Sequence, residues 1–216
     1  MYAWHGGGGS YIVVSGRLRP VSSDDPLTRQ DTTTRDADMI TAINTDRLVL
    51  RNYQDRDAAA LLEYRAHPTV HCFARERLGS LAEAQRDIRE KSGDDLQLAV
   101  CTKDDDRLIG SVFAEFDQPD TYGVGWNFNP AFGGLGYATE AAIAFLNHLF
   151  HDRQARRIYA YVEDDNLPSQ RLRERLGMRQ EALYREFISF VNNADGTKHY
   201  ENTGEYAILR KEWRQV

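Results

Sequence analysis

The run Phe132-Gly133-Gly134-Leu135-Gly136-Tyr137-Ala138-Thr139-Glu140-Ala141 constrains this chain more than any other stretch, because its glycines lead straight into an apolar helical pattern. Glycine reaches left-handed backbone conformations and carries no Cβ, so such a turn lets main-chain N–H groups converge without side chains in the way. The residues that follow, Ala142-Ile143-Ala144-Phe145-Leu146-Asn147-His148-Leu149-Phe150, have helical apolar spacing. A helix starting there leaves its first-turn N–H groups unpaired and carries a partial positive charge at that end. Loop and helix together make a candidate anion cradle built from main chain. The competing reading is a glycine turn that does no more than start a core helix.

Among phosphate-binding patterns, a P-loop needs Gly-Lys-Ser/Thr, but Gly136 is followed by Tyr137 and Ala138. A Rossmann turn needs a third glycine where Thr139 stands, and Asn129-Pro130-Ala131-Phe132 is a poor buried strand to lead into it. The segment instead resembles the pyrophosphate loop of GNAT acyl-CoA N-acyltransferases, Gln/Arg-x-x-Gly-x-Gly/Ala. Residues 134–141 are most similar to the Gly-x-Gly-Tyr-Ala-Thr-Glu-Ala of that superfamily's ribosomal-protein N-acetyltransferase branch. Downstream, Asn166-Leu167-Pro168-Ser169 opening a helix that ends in Leu176-Gly177-Met178 resembles the family's Asn-x-x-Ser helix. Its caps are self-consistent: Asn166 at the N-cap, Pro168 in the first turn, Gly177 just past the end. Upstream, Thr45-Asp46-Arg47-Leu48-Val49-Leu50-Arg51 resembles the opening strand. The three landmarks stand in the family's order, and the resemblance runs from about residue 40 to the C-terminus.

At 216 residues the chain suits one domain, or one domain with an appendage. A net charge of −6 argues against nucleic acid as a general partner and favours cationic acceptors. No apolar run approaches bilayer length, so no membrane association is expected. Cys72 and Cys101 give neither a disulfide framework nor zinc spacing and read as cytoplasmic thiols. His67 with His71, and His148 with His151, each lack a third ligand nearby in sequence, so no metal is expected; the second pair suits a helix C-terminus.

Residues 1–38 differ from the rest. Four glycines and Ser10 have linker composition, Tyr11-Ile12-Val13-Val14-Ser15 is one strand-like run, and a polar stretch continues through Asp38. With no basic n-region before an apolar core, this is not a secretory signal. It reads as an N-terminal extension before a domain at 39–216. In that domain, strands are expected near 46–52, 96–102, 107–116, 121–128, 157–162, 180–190 and 201–210. Helices are expected at 56–66 behind Asp55, from a Ser80-Leu81-Ala82-Glu83 capping box to Lys91, at 135–150, and after Asn166. Asp104-Asp105-Asp106 reads as a hairpin turn. The class is α+β, a mostly antiparallel central sheet flanked by helices, which is the GNAT architecture.

The resemblance implies acetyl-CoA as cosubstrate and direct acetyl transfer to a primary amine, either a protein N-terminus or a small molecule. A non-catalytic acyl-CoA-binding or sensing domain is the alternative, and a homodimer is left open. Trp126, Asn127 and Phe128 would line the pantetheine arm with their main chain. Gly133, Gly134, Leu135, Gly136, Tyr137, Ala138 and Thr139 would hold the pyrophosphate, and Asn166 would contact the arm. Ser169 is the candidate donor to the departing thiolate, since the Tyr many members carry four residues later is Arg173 here. Gly133 and Leu135 replace the loop's usual polar and basic residues, so the loop keeps its N–H donors but loses side-chain charge. Gly123 stands where many members carry a Glu, and Asn202 where an Asp often stands. Glu115 and Glu186 are the remaining candidates for a general base.

Overall fold

From Ile40 onward, apolar and polar residues alternate between turn residues, a pattern that selects hairpin-linked strands with one face buried. The computed structural model describes residues 3–5, 10–14, 17–20, 42–117 and 119–214. Contacts divide the chain into two units, Met1–Met39 and Ile40–Val216. In the first, β1 (Ala3–His5), β2 (Ser10–Val14) and β3 (Arg17–Pro20) form an antiparallel sheet in that order. β2 is the strand-like run read from sequence; β1 and β3 are too short for alternation to mark them. Ser15, the glycine run and residues 21–38 lie outside the described residues.

The second unit is built on eight strands: β4 (Ile43–Asn44), β5 (Leu48–Arg51), β6 (Gln97–Thr102), β7 (Leu108–Asp117), β8 (Thr121–Phe128), β9 (Arg157–Glu163), β10 (Arg179–Ile188) and β11 (Glu201–Leu209). Their order is β10-β11-β9-β8-β7-β6-β5-β4, antiparallel at every junction except β8–β9. The helices are α1 (Ala58–Arg65), α2 (Leu81–Lys91), α3 (Tyr137–His151) and α4 (Leu167–Arg175). The period of two along β6 explains how they are distributed. Leu98 and Val100 join Leu48, Leu50, Phe145, Leu149 and Phe150 in the core under α3. Ala99 and Cys101 point the other way, into a core with Leu61 of α1 and Ile88 of α2. This is the mostly antiparallel α+β sheet expected.

Local departures have local causes. The strand expected near 46–52 is shortened to β5 and preceded by β4: the two flank a turn in which Thr45 Oγ1 accepts from the Leu48 N–H at 2.9 Å and the Thr45 N–H donates to the Leu48 carbonyl at 3.0 Å. Asp55 does not cap a helix. It opens the 3₁₀ turn Asp55–Asp57 that precedes α1, and the Asp57 carboxylate accepts from the Gln54 N–H at 2.8 Å. Ser80 caps α2 as expected, accepting from the Glu83 N–H at 3.3 Å. Glu83 reaches back one residue further than the capping box predicts, to the Gly79 N–H at 2.7 Å.

Candidate active site

β8 and β9 are in register only over residues 121–123, where Gly123 pairs with Tyr159. Beyond that point β9 stays with β11 while β8 continues along β7 to Phe128. The sheet therefore opens into a groove of about 1220 Å³. Trp126, Asn127 and Phe128 of β8 line it, along a strand edge that among the described residues has no neighbouring strand on that side.

The glycine loop closes one end. Asn129 Oδ1 accepts from the Ala131 N–H at 3.0 Å and shapes the 3₁₀ turn Pro130–Phe132. Gly134 and Gly136 then adopt φ of +76° and +82°, a region that only glycine enters without strain. Gly136 is the N-cap of α3, and no side chain caps that first turn. Its first N–H groups are therefore left without a side-chain partner, and Gly133, Gly134, Gly136, Tyr137, Ala138 and Thr139 line the groove. Leu135 does not line it. Its side chain is exposed, and its carbonyl is held from outside.

The group holding it is Arg47, which sequence reasoning missed. Arg47 Nη1 donates to the Leu135 carbonyl at 2.9 Å, and the guanidinium lies over the Tyr137 ring, 4.6 Å from its centroid. The loop's own side chains carry no charge, as expected, and the turn between β4 and β5 braces it from outside with a cation that Glu140 pairs. Glu140 locks the pair. Its carboxylate accepts from Thr45 Oγ1 (2.6 Å), the Arg47 N–H (2.9 Å) and Arg47 Nε (2.7 Å). Burial works against the Glu140 charge, but the Thr45 and Arg47 hydrogen bonds outweigh it and hold the carboxyl below its usual range. A lowered pKa stabilises the fold above the unfolded-state value and is lost as pH falls through the folded-state value. The stability difference between wild type and Glu140→Gln should thus be constant at neutral pH and vanish in acid, below the ordinary glutamate range. Denaturant melts of both proteins at graded pH measure it; a difference that persists below that range would refute the assignment.

α4 forms the opposite wall. Asn166 Oδ1 accepts from the Ser169 N–H at 3.2 Å, so Asn166 is the helix cap and also lines the groove. Trp126 Nε1 donates to Ser169 Oγ at 3.1 Å, which ties β8 to α4 across the opening. Because Ser169 accepts in that bond, its own proton remains to be donated. Arg171 and Arg175, one helical turn apart, also line the groove. That i, i+4 spacing is legible in the sequence. Arg173 points away, its guanidinium 3.9 Å from the centroid of the Tyr206 ring.

Neither candidate carboxylate lines the groove. Glu115 sits opposite Gly123 on β7, where burial, with the Asp117 charge adding to it, pushes its carboxyl up. A Cβ at Gly123 would come within 3.0 Å of the Tyr159 ring and hydroxyl, so the ring takes up the room a side chain there would need. Burial pushes the Tyr159 phenol up as well. Glu186 is exposed, at φ +47° in an irregular stretch of β10, and its N–H donates to Asn202 Oδ1 at 2.9 Å. Alternation along a strand cannot show such an irregularity, and so could not show which way Glu186 faces. His148 and His151 fall in the last turn of α3 as expected, with His148 Nδ1 2.8 Å from the Asp152 carboxylate. Burial pushes both thiols up, Cys101 to about 12. Among the described residues no helix is long and apolar enough to cross a membrane.

An antiparallel sheet that opens at one parallel junction beside a glycine-led helix is the GNAT fold. Residues 47–179 match the family model described as "Acetyltransferase (GNAT) domain". The chain is 34% identical over 173 residues to "Uncharacterized N-acetyltransferase YnaD" of Bacillus subtilis (strain 168), covering 79% of this chain and 98% of that protein. It is similar to the crystal structure of a GNAT-family acetyltransferase from Bacillus anthracis, with a TM-score of 0.71, 28% identity, and 80% and 100% of the two chains covered. It shares its fold with the microcin C7 self-immunity acetyltransferase MccE, solved in complex with acetyl-CoA and AMP (TM-score 0.61, 16% identity, 76% and 93% covered). The chain belongs to the GNAT acetyltransferase family. It is an acetyltransferase, which sets aside the binding-only alternative.

Proposed function

We propose that this protein transfers an acetyl group from acetyl-CoA directly to a primary amine of low basicity, such as an α-amine. The observation that carries the reading is the convergence, in one groove, of the uncapped α3 N-terminus and the open edge of β8. Acetyl-CoA supplies a thioester whose acyl carbon an amine can attack. The N–H groups of residues 134–138 bind its pyrophosphate, with the Thr139 hydroxyl able to add a bond. Arg171 and Arg175 add charge for its anionic groups. The main chain of Trp126, Asn127 and Phe128 pairs with the pantetheine arm as a further strand would. Ser169, held by the Trp126 indole, would donate a hydrogen bond to the thiolate as the C–S bond breaks, and the proton that the acylated amine gives up ends on sulfur.

The carboxylates support this acceptor class. Glu115 and Glu186 do not line the groove. Of the two that do among the described residues, Glu140 is engaged by Thr45 and Arg47, and Asp46 lies beside Arg47 in the turn that braces the glycine loop. An amine would therefore arrive largely as free base or lose its proton through water. An α-amine of pKa near ~7.7–8.0 is roughly 10% free at neutral pH, whereas a lysine-type amine near ~10.4 is well under ~1% free. CoA release measured with amines of graded basicity should favour the weaker bases at pH 7. Ser169→Ala should lower kcat at least about tenfold, with a smaller change in the KM for acetyl-CoA. Unchanged kcat in that variant would remove Ser169 from the chemistry. Fastest turnover of high-pKa amines at neutral pH would overturn the acceptor class.

A further inference from the structure

Beyond the groove, the fold assembles a second set of ligating side chains from distant segments. His71 opens the 3₁₀ segment His71–Glu76, while His199 lies two residues before β11 and Glu201 is that strand's first residue. One ligand atom from each of the three lies within 4.8 Å of the others. His71 Nδ1 is 2.6 Å from Glu201 Oε1, and the two imidazole rings meet nearly edge-on, centroids 5.7 Å apart. Asn193 Oδ1 lies 3.2 Å from His199 Nδ1 and orients that ring, the kind of outer partner that ligating histidines have.

The Glu201 side chain is 3% exposed, and its second oxygen, Oε2, has no hydrogen-bond partner among the described residues. A buried carboxylate oxygen left unpaired is costly, and His71 accounts for Oε1 alone. The Asp165 carboxylate, 3.8 Å from His71 Nδ1, adds negative charge at the same place. We infer that His71, His199 and Glu201 form a binding site for a first-row divalent cation of the Zn²⁺ type. Two imidazoles and one carboxylate suit such an ion, whereas Mg²⁺ and Ca²⁺ favour sites made wholly of oxygen. Bonds of ~2.0–2.2 Å place tetrahedral ligand atoms roughly 3.3 Å apart, so the His71–Glu201 contact needs to open by less than about 1 Å. Three protein donors leave at least one position for water. The ion would tie the His71–Glu76 segment to β11, next to the groove wall at Thr69 and Val70.

The inference does not depend on the proposed acceptor or on Ser169, and metal uptake by the full-length protein tests it separately from turnover. After chelator treatment and dialysis, calorimetric titration with ZnCl₂ should show one equivalent bound at least about tenfold tighter than Mg²⁺ or Ca²⁺. Zn²⁺ should also raise the melting temperature. His199→Gln, at a half-buried position, should keep a cooperative melt yet lose at least about tenfold in Zn²⁺ affinity, together with the thermal shift. His151→Gln, a histidine outside the cluster, should bind as wild type does. No stoichiometric Zn²⁺ uptake, equal uptake of Mg²⁺, or unchanged affinity in His199→Gln would each overturn the site.

Discussion

Gly136→Glu should weaken acetyl-CoA binding at least about tenfold, or ~1.4 kcal/mol, in a protein that still folds. Two effects add. Gly136 sits at φ +82°, and a residue with a Cβ held in that region costs roughly 1–2 kcal/mol. Its Cβ would also stand 3.4 Å from Arg47 Nη2, the cation that braces the loop through the Leu135 carbonyl. A carboxylate there competes for Arg47 and sets negative charge beside donors that serve an anion. Gly136→Ala separates the terms, since it keeps the backbone strain and omits the charge. Calorimetry with acetyl-CoA should rank wild type above Gly136→Ala and Gly136→Ala above Gly136→Glu. Equal affinities across the three would place the pyrophosphate elsewhere.

Asp57→Ala should destabilise the Ile40–Val216 unit by about 3 kcal/mol, the lower end of the cost of breaking a buried ion pair from one side. Arg51 is 8% exposed, and its Nη1 and Nη2 meet the two Asp57 oxygens at 2.8 and 2.9 Å. Burial opposes the Arg51 charge, yet Asp57 and Asp106 hold the guanidinium above its ordinary pKa. Without Asp57, the more exposed Asp106 is the carboxylate left to Arg51 at 3.0 Å, and the Gln54 N–H loses its acceptor. For a domain of this size the loss corresponds to a melting temperature lower by roughly 6–12 °C. Asp57→Asn, which keeps an acceptor oxygen, should cost less. Neither residue lines the groove, so acetyl-CoA affinity of the folded variant should match wild type. A loss under about 1 kcal/mol in urea titrations would show that Asp106 alone compensates.

The elements best read from the chain are those whose cause is local. β8 occupies the residues alternation predicts, 121–128, and Asn166 caps α4 from its own side chain. The glycine loop was legible for the same reason. Glycine's conformational freedom and the donors of a helix start are properties of adjacent residues. Eleven of the fourteen residues singled out for catalysis or cofactor binding line one groove, and Leu135, Glu115 and Glu186 do not. Glu115 and Glu186 stand on strands, where pairing and register decide which way a side chain faces, and Glu186 lies in a stretch of β10 whose register shifts against β11. Leu135 turns only its side chain outward within the loop.

By itself the sequence determined the α+β class, the order of strands and helices, and the glycine loop that lines the groove, because period, caps and glycines act over a few residues. Only the tertiary structure decided three things. It parted β8 from β9 after Gly123, and it brought Arg47 across 88 positions to Leu135 and His71 across 130 to Glu201. Such contacts are set by strand order and register, which relate residues far apart in the chain and leave no periodic trace along it.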